Sequence, residues 1–108
     1  MIVFALFLSL TFGWASEFKS YRIGSMLVIF HEVDGQWVNK SCENDKCLAL
    51  AMGKKFRNSK VPSELLRGGK NPFAVRCKTV MKGKVLIGLT KSGNEQSLCH
   101  FSDDSFLH

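Results

Sequence analysis

Four things are missing from these 108 residues: a G-x-S-x-G motif, a C-x-x-C pair, an internal repeat and a low-complexity tract. The first absence removes the strand-elbow serine of the α/β-hydrolases. The second removes the paired short-spaced knuckles of a structural zinc site. The other two exclude a solenoid array and a long disordered segment. Beyond Trp14 no stretch is apolar and long enough to cross a bilayer, which takes about 20 residues. Acids are scarce through the middle of the chain. Lys54 to Lys91 holds eleven lysines and arginines against the single acid Glu64, a local balance of +10. Aromatics are thin there too. Phe56 and Phe73 are the two present, so the interleaving used to stack single-stranded nucleic acid is absent.

What is present begins with an apolar, uncharged run from Ile2 to Trp14. It is short for a span and has small residues, Gly13 and Ala15, at minus three and minus one of a cut before Ser16. Residues 1–15 are expected to be an export leader, with a retained anchor as the alternative. No cysteine stands at the cut, where Ser16 is the next residue, which argues against a lipid anchor. Removing 15 residues from 108 leaves 93, a suitable length for one domain. The expected location is exported, periplasmic or secreted.

Four cysteines remain: Cys42, Cys47, Cys77 and Cys99. An even count behind a leader points to two disulfides formed in an oxidising compartment. Three pairings are possible. The favoured one is Cys42–Cys47 with Cys77–Cys99. The first pair flanks a polar tight turn, and the second ties a predicted helix to a predicted strand. In the chain-entropy model these loops stabilise the fold by about 2 and about 3.4 kcal/mol. A chain this short gains little from apolar burial alone, so such clamps matter.

Along the chain, Ser25 to Val33 reads as a strand, Asp34-Gly35 as a hairpin turn and Gln36 to Cys42 as the return strand. Leu48 to Met52 fits a third strand or the start of a helix; the strand is preferred, stapled to the second by the Cys42–Cys47 bridge. Lys54 to Lys70 is the loosest region, with Ser63 able to cap one short turn. Asn71 and Pro72 open a helix whose apolar face is Phe73, Ala74, Cys77, Val80 and Met81; Gly83 ends it. Lys84 to Thr90 and Glu95 to Phe101 form a C-terminal hairpin. Ser102 to His108 is expected to fray. The fold class is therefore α+β: a small disulfide-braced domain with an N-terminal antiparallel β-meander, then a helix packed on a C-terminal β-hairpin. Residues 16–67 supply the N-terminal β-region and loop. Residues 68–108 supply the helix and hairpin unit, in one compact domain.

The order Asn71-Pro72-Phe73-Ala74-Val75, Cys77, Gly83, Gly93-Asn94-Glu95 and Leu98-Cys99-His100-Phe101 resembles a small bacterial domain family of unknown function. That family often carries the automated label "putative haemolysin". The resemblance covers residues 68–104, about a third of the chain. It implies an exported or envelope protein and brings no catalytic residues. Family members often continue with Pro-Asp-Gly and a further cysteine, where this chain has Ser102-Asp103-Asp104-Ser105. No long amphipathic segment supports a membrane-lytic role.

The net charge is +6. A basic exported domain suits an anionic partner: lipid, lipopolysaccharide, a wall polymer or, with little sequence support, nucleic acid. The expected anion-binding residues are Lys54, Lys55, Arg57, Lys60, Arg67, Lys70, Arg76, Lys78, Lys82 and Lys84. No metal or cofactor is expected, and no catalytic set. Asp103-Asp104 reads as a solvated tail rather than a metal site. The first expectation is a non-enzymatic binding module for an anionic envelope surface or another exported protein. The alternative is a small inhibitor of a protease or other exported enzyme, working through the Lys54–Lys70 loop or the Cys42–Cys47 turn. A small hydrolase such as a ribonuclease would need His31 and His100 to meet, and nothing in their spacing brings them together. Trp37 is read as a packed strand aromatic, with an exposed partner anchor as the competing role.

Overall fold

The computed structural model describes residues 17–44 and 46–108. The expected leader and its cut lie outside the described residues. Six strands and two α-helices follow in the order β1 (Phe18–Ile23), β2 (Met26–Val33), β3 (Gln36–Asn39), α1 (Leu48–Phe56), α2 (Pro72–Thr79), β4 (Lys84–Leu89), β5 (Glu95–His100) and β6 (Phe106–Leu107). A 3-10 turn, Ser63–Leu66, lies between the helices. The α+β class holds, with antiparallel strands throughout. The sheet is a closed barrel in the order β1-β2-β3-β6-β5-β4 rather than a separate meander and hairpin. The N-terminal and C-terminal segments interlock: β3 pairs with β6, and β1 meets β4 at Arg22 and Leu89.

The β2–β3 hairpin turns at Asp34-Gly35, where both residues have positive φ, 51° and 80°. That is the twist a two-residue hairpin loop requires. β1, which the sequence reading left unassigned, pairs along its whole length with β2, from Phe18 against His31 to Ile23 against Met26.

Two apolar layers hold the molecule. Inside the barrel lie Tyr21, Val28, Phe30, Leu98 and Phe106. Tyr21 meets Phe30 edge to face at 5.5 Å, and Phe30 meets Phe106 at 6.3 Å. Gly88 allows this closeness: a Cβ there would sit 2.7 Å from Leu98 Cδ1 and 2.9 Å from Tyr21 Cβ. Outside the barrel, Val38, Leu107 and Cys99 face the helices and pack with Ala49, Leu50, Cys77 and Met81. β5 therefore buries both faces, Leu98 inward and Cys99 outward.

Both disulfides form as expected: Cys42–Cys47 and Cys77–Cys99, with Cα separations of 5.5 and 5.6 Å. The second bolts α2 onto the barrel. Two expectations need correction. Leu48 to Met52 is the start of helix α1, not a strand. Its leucines, alanines and methionine are strong helix formers and none is β-branched. The C-terminal residues do not fray. Ser105, Phe106 and Leu107 are buried, and β6 is the strand that joins β3 to β5.

Candidate functional site

The ten expected anion-binding residues meet different surroundings. Three of them are spent locally. Lys54 pairs with Asp34 at 3.5 Å. Arg57 donates to the Asp34 carbonyl at 3.2 Å and, in the amide orientation that satisfies both groups, to the Gln36 side-chain oxygen at 3.0 and 3.1 Å. Arg76 donates to the Ser59 carbonyl at 3.1 Å, pinning the segment after α1 against α2. Lys55 lies over its neighbour Phe56, 5.2 Å from the ring centre. Lys60, Arg67 and Lys82 are exposed.

The remaining three converge. Lys70, Lys78 and Lys84 line a groove between the 3-10 turn, α2 and the start of β4. Leu65, Ala74, Val75 and Val85 give it an apolar lining, and no acid lines it among the described residues. Local sequence sets this geometry. Asn71 Oδ1 accepts from the Phe73 and Ala74 N–H groups at 2.8 and 3.4 Å, and Pro72 occupies the first helical position. Cys77 turns inward to Cys99, so Ala74, Val75 and Lys78 are left on the groove side. After the helix, Lys82 takes the left-handed conformation at φ 60°, and the Gly83 N–H donates to the Cys77 carbonyl at 2.8 Å. Gly83 itself is needed for space. A Cβ there would collide with Cys99 Sγ and sit 3.2 Å from Cys77 Sγ. Glycine thus closes the end of the helix, as expected of it, and also seats the disulfide under the groove.

A second polar cluster sits where a solvated tail was expected. α1 has no side-chain cap of its own. Asp103 Oδ2 accepts from the Leu48 N–H at 2.9 Å, and Ser105 Oγ accepts from the Ala49 N–H at 2.9 Å. Asp103 Oδ1 in turn accepts from the Ser105 hydroxyl at 2.5 Å and its N–H at 3.1 Å. Burial pushes the Asp103 carboxyl up, but these donors together outweigh it and hold its pKa below the usual value. The pair is a helix cap delivered from more than fifty residues away. No local sequence signal announces a cap at that distance.

The histidines occupy separate places. His31 Nε2 lies 3.0 Å from the Cys42 carbonyl and ties β2 to the first disulfide turn. His100 stacks on Phe106 at 4.6 Å and pairs with Asp104 at 3.2 Å. His108 is half-buried against Tyr21, 5.3 Å between ring centres, and its backbone N–H donates to the Trp37 carbonyl at 2.9 Å. Burial, then the Lys19 charge, lowers the His108 pKa. Trp37 is half-buried and packs against the barrel interior, with the Lys19 ammonium 4.3 Å over its ring.

Among the described residues no helix is long and apolar enough to cross a membrane. Comparison of the chain with protein-family models, curated proteins and solved structures gave no match.

Proposed function

We propose that this protein is an exported, non-enzymatic binding module that takes an anionic partner on its basic side, through the groove of Lys70, Lys78 and Lys84. The observation that carries the reading is the pairing of three cations with an apolar lining in one concavity. Such a lining suits an anionic group joined to an apolar segment, as in a lipid or the lipid part of lipopolysaccharide, better than a bare polyanion. The ammonium groups bind the charge, and Leu65, Val75 and Val85 cover the chain beside it. Two disulfides fit an oxidising compartment, as export requires. The resemblance of residues 68–104 to the exported bacterial family is part of the same proposal.

Calorimetric titration with monomeric dodecyl phosphate tests it, with dodecanol as the uncharged control. Binding is expected for the phosphate, with affinity falling as salt rises. Lys78→Ala with Lys84→Ala should weaken it by about tenfold or more, in keeping with the strength of charge-assisted hydrogen bonds. Equal binding of phosphate and alcohol, or no change in the double variant, would contradict the proposal.

A further inference from the structure

We infer that the part of the barrel wall left bare by the helices is a docking surface for an anionic lipid bilayer. α1 packs on β3 and β6, and α2 on β4 and β5. Among the described residues, neither helix packs on the outward side of β1, the start of β2 and the end of β4 to a comparable extent. Large apolar side chains occupy it: Leu27 is 61% exposed, Phe18 53%, Ile87 48%, and Ile29 and Leu89 40% each. Strand register gathers them. Arg22 of β1 stands opposite Leu27 of β2 and opposite Leu89 of β4, and Ser20 opposite Ile29. A face that exposes this many large apolar side chains around Ser20 and Arg22 marks an interaction site.

Charge identifies the occupant. Arg22 and Lys91 line a notch with Leu27 and Leu89 over the β1–β4 seam. The Lys40 ammonium lies 5.6 Å over the exposed Phe18 ring. Glu95, opposite Leu89, is the one acid that strand register places on this face among the described residues. Apolar side chains interleaved with long cationic ones match the boundary between acyl chains and anionic headgroups. There the apolar groups enter, and the cationic heads reach back to the phosphates. A second copy fits badly, because a two-fold interface through this face would bring Arg22 and Lys91 of both copies together. The surface is separate from the groove, since Lys70, Lys78 and Lys84 do not line its notch.

Co-sedimentation of the full chain with vesicles tests the inference, comparing wild type and variants so that shared residues cancel. The vesicles are equal parts phosphatidylglycerol and phosphatidylcholine, or phosphatidylcholine alone. Wild type should bind the anionic vesicles more tightly, and Leu27→Asp with Ile29→Asp should bind them about tenfold or more less tightly. Leu27→Asp with Ile29→Asp should still bind monomeric dodecyl phosphate as wild type does, because neither residue lines the groove, which separates this surface from the groove. Because the double aspartate variant could be impaired in folding, Ile29→Trp gives a second readout: its emission should shift to the blue on anionic vesicles beyond any wild-type shift. Unchanged vesicle binding in the aspartate variant, no wild-type preference for anionic lipid, or no added shift in Ile29→Trp would overturn the inference. So would concentration-dependent dimerisation in the absence of lipid that Leu27→Asp with Ile29→Asp abolishes.

Discussion

Single residues decide whether the layers close. Gly83 lies against the sulfurs of Cys77 and Cys99, so a methyl group has no room. Gly83→Ala is expected to cost about 1–3 kcal/mol, the usual penalty of overpacking, measured as a lower urea midpoint in the oxidised protein. Gly93→Ala tests the opposite case: a Cβ there meets nothing within 4 Å, and its cost comes only from the positive φ. Asp103 provides a second residue-scale test. Its folded pKa lies below the ordinary 3.8. The folded state therefore binds fewer protons than the unfolded one at acid pH. The carboxylate's contribution is complete above the unfolded value and is lost as pH falls through the folded value. Asp103→Ala should lower stability by about 1 kcal/mol at neutral pH, as loss of a helix cap does, and the difference from wild type should shrink in strong acid. His108 acts in the other range. Its folded pKa is also lowered, from 6.5, because the barrel wall buries it and Lys19 repels its charged form. Protonation then favours the unfolded chain, so stability should decline as pH drops through the unfolded value. In His108→Leu that decline around pH 6.5 should be absent from thermal melts taken across the pH range.

At the scale of elements, local chemistry was readable and distant chemistry was not. Asn71-Pro72 marks the start of α2 because cap and first-turn preference act within three residues. Asp34-Gly35 marks its hairpin because the turn's dihedral demand is local. Leu48 to Met52 was misread because a polar turn stapled by a disulfide also fits a hairpin. The segment's helix formers are a local signal, while the cap that completes the start of α1 comes from Asp103 and Ser105, more than fifty residues later. The two-residue β6 escaped notice. Phe106 and Leu107 sit in a polar tail, and their strand character comes from β3 and β5 on either side. Phe106 is nonetheless 6% exposed and packs on Phe30 and His100. Phe106→Ala should therefore cost about 3–5 kcal/mol in chemical denaturation, where a frayed tail would show almost none.

Across the whole molecule, the closed barrel explains how so short a chain manages its sheet. Closure joins the two ends of the sheet at the β1–β4 seam, through Arg22 and Leu89, and the helices pack on β3, β6, β5 and β4. The Cys77–Cys99 bridge then fixes α2 beside β4, so three cations that are scattered in sequence share one groove. The charge run was legible in the sequence. Its division was not, because Lys54, Arg57 and Arg76 find partners on segments whose position only the closed barrel sets. Reduction of both bridges is expected to lower the melting temperature and loosen the groove together, by about 2 and about 3.4 kcal/mol on loop entropy alone.

The most direct test of a basic groove as the binding site is amide chemical-shift mapping of the oxidised, isotope-labelled protein titrated with dodecyl phosphate below its micelle concentration. Shifts should concentrate on the segment that holds Lys70 through Lys78 and on Lys84 and Val85, and saturate together. Shifts spread evenly over every surface lysine, or absent from α2 and the start of β4, would contradict it.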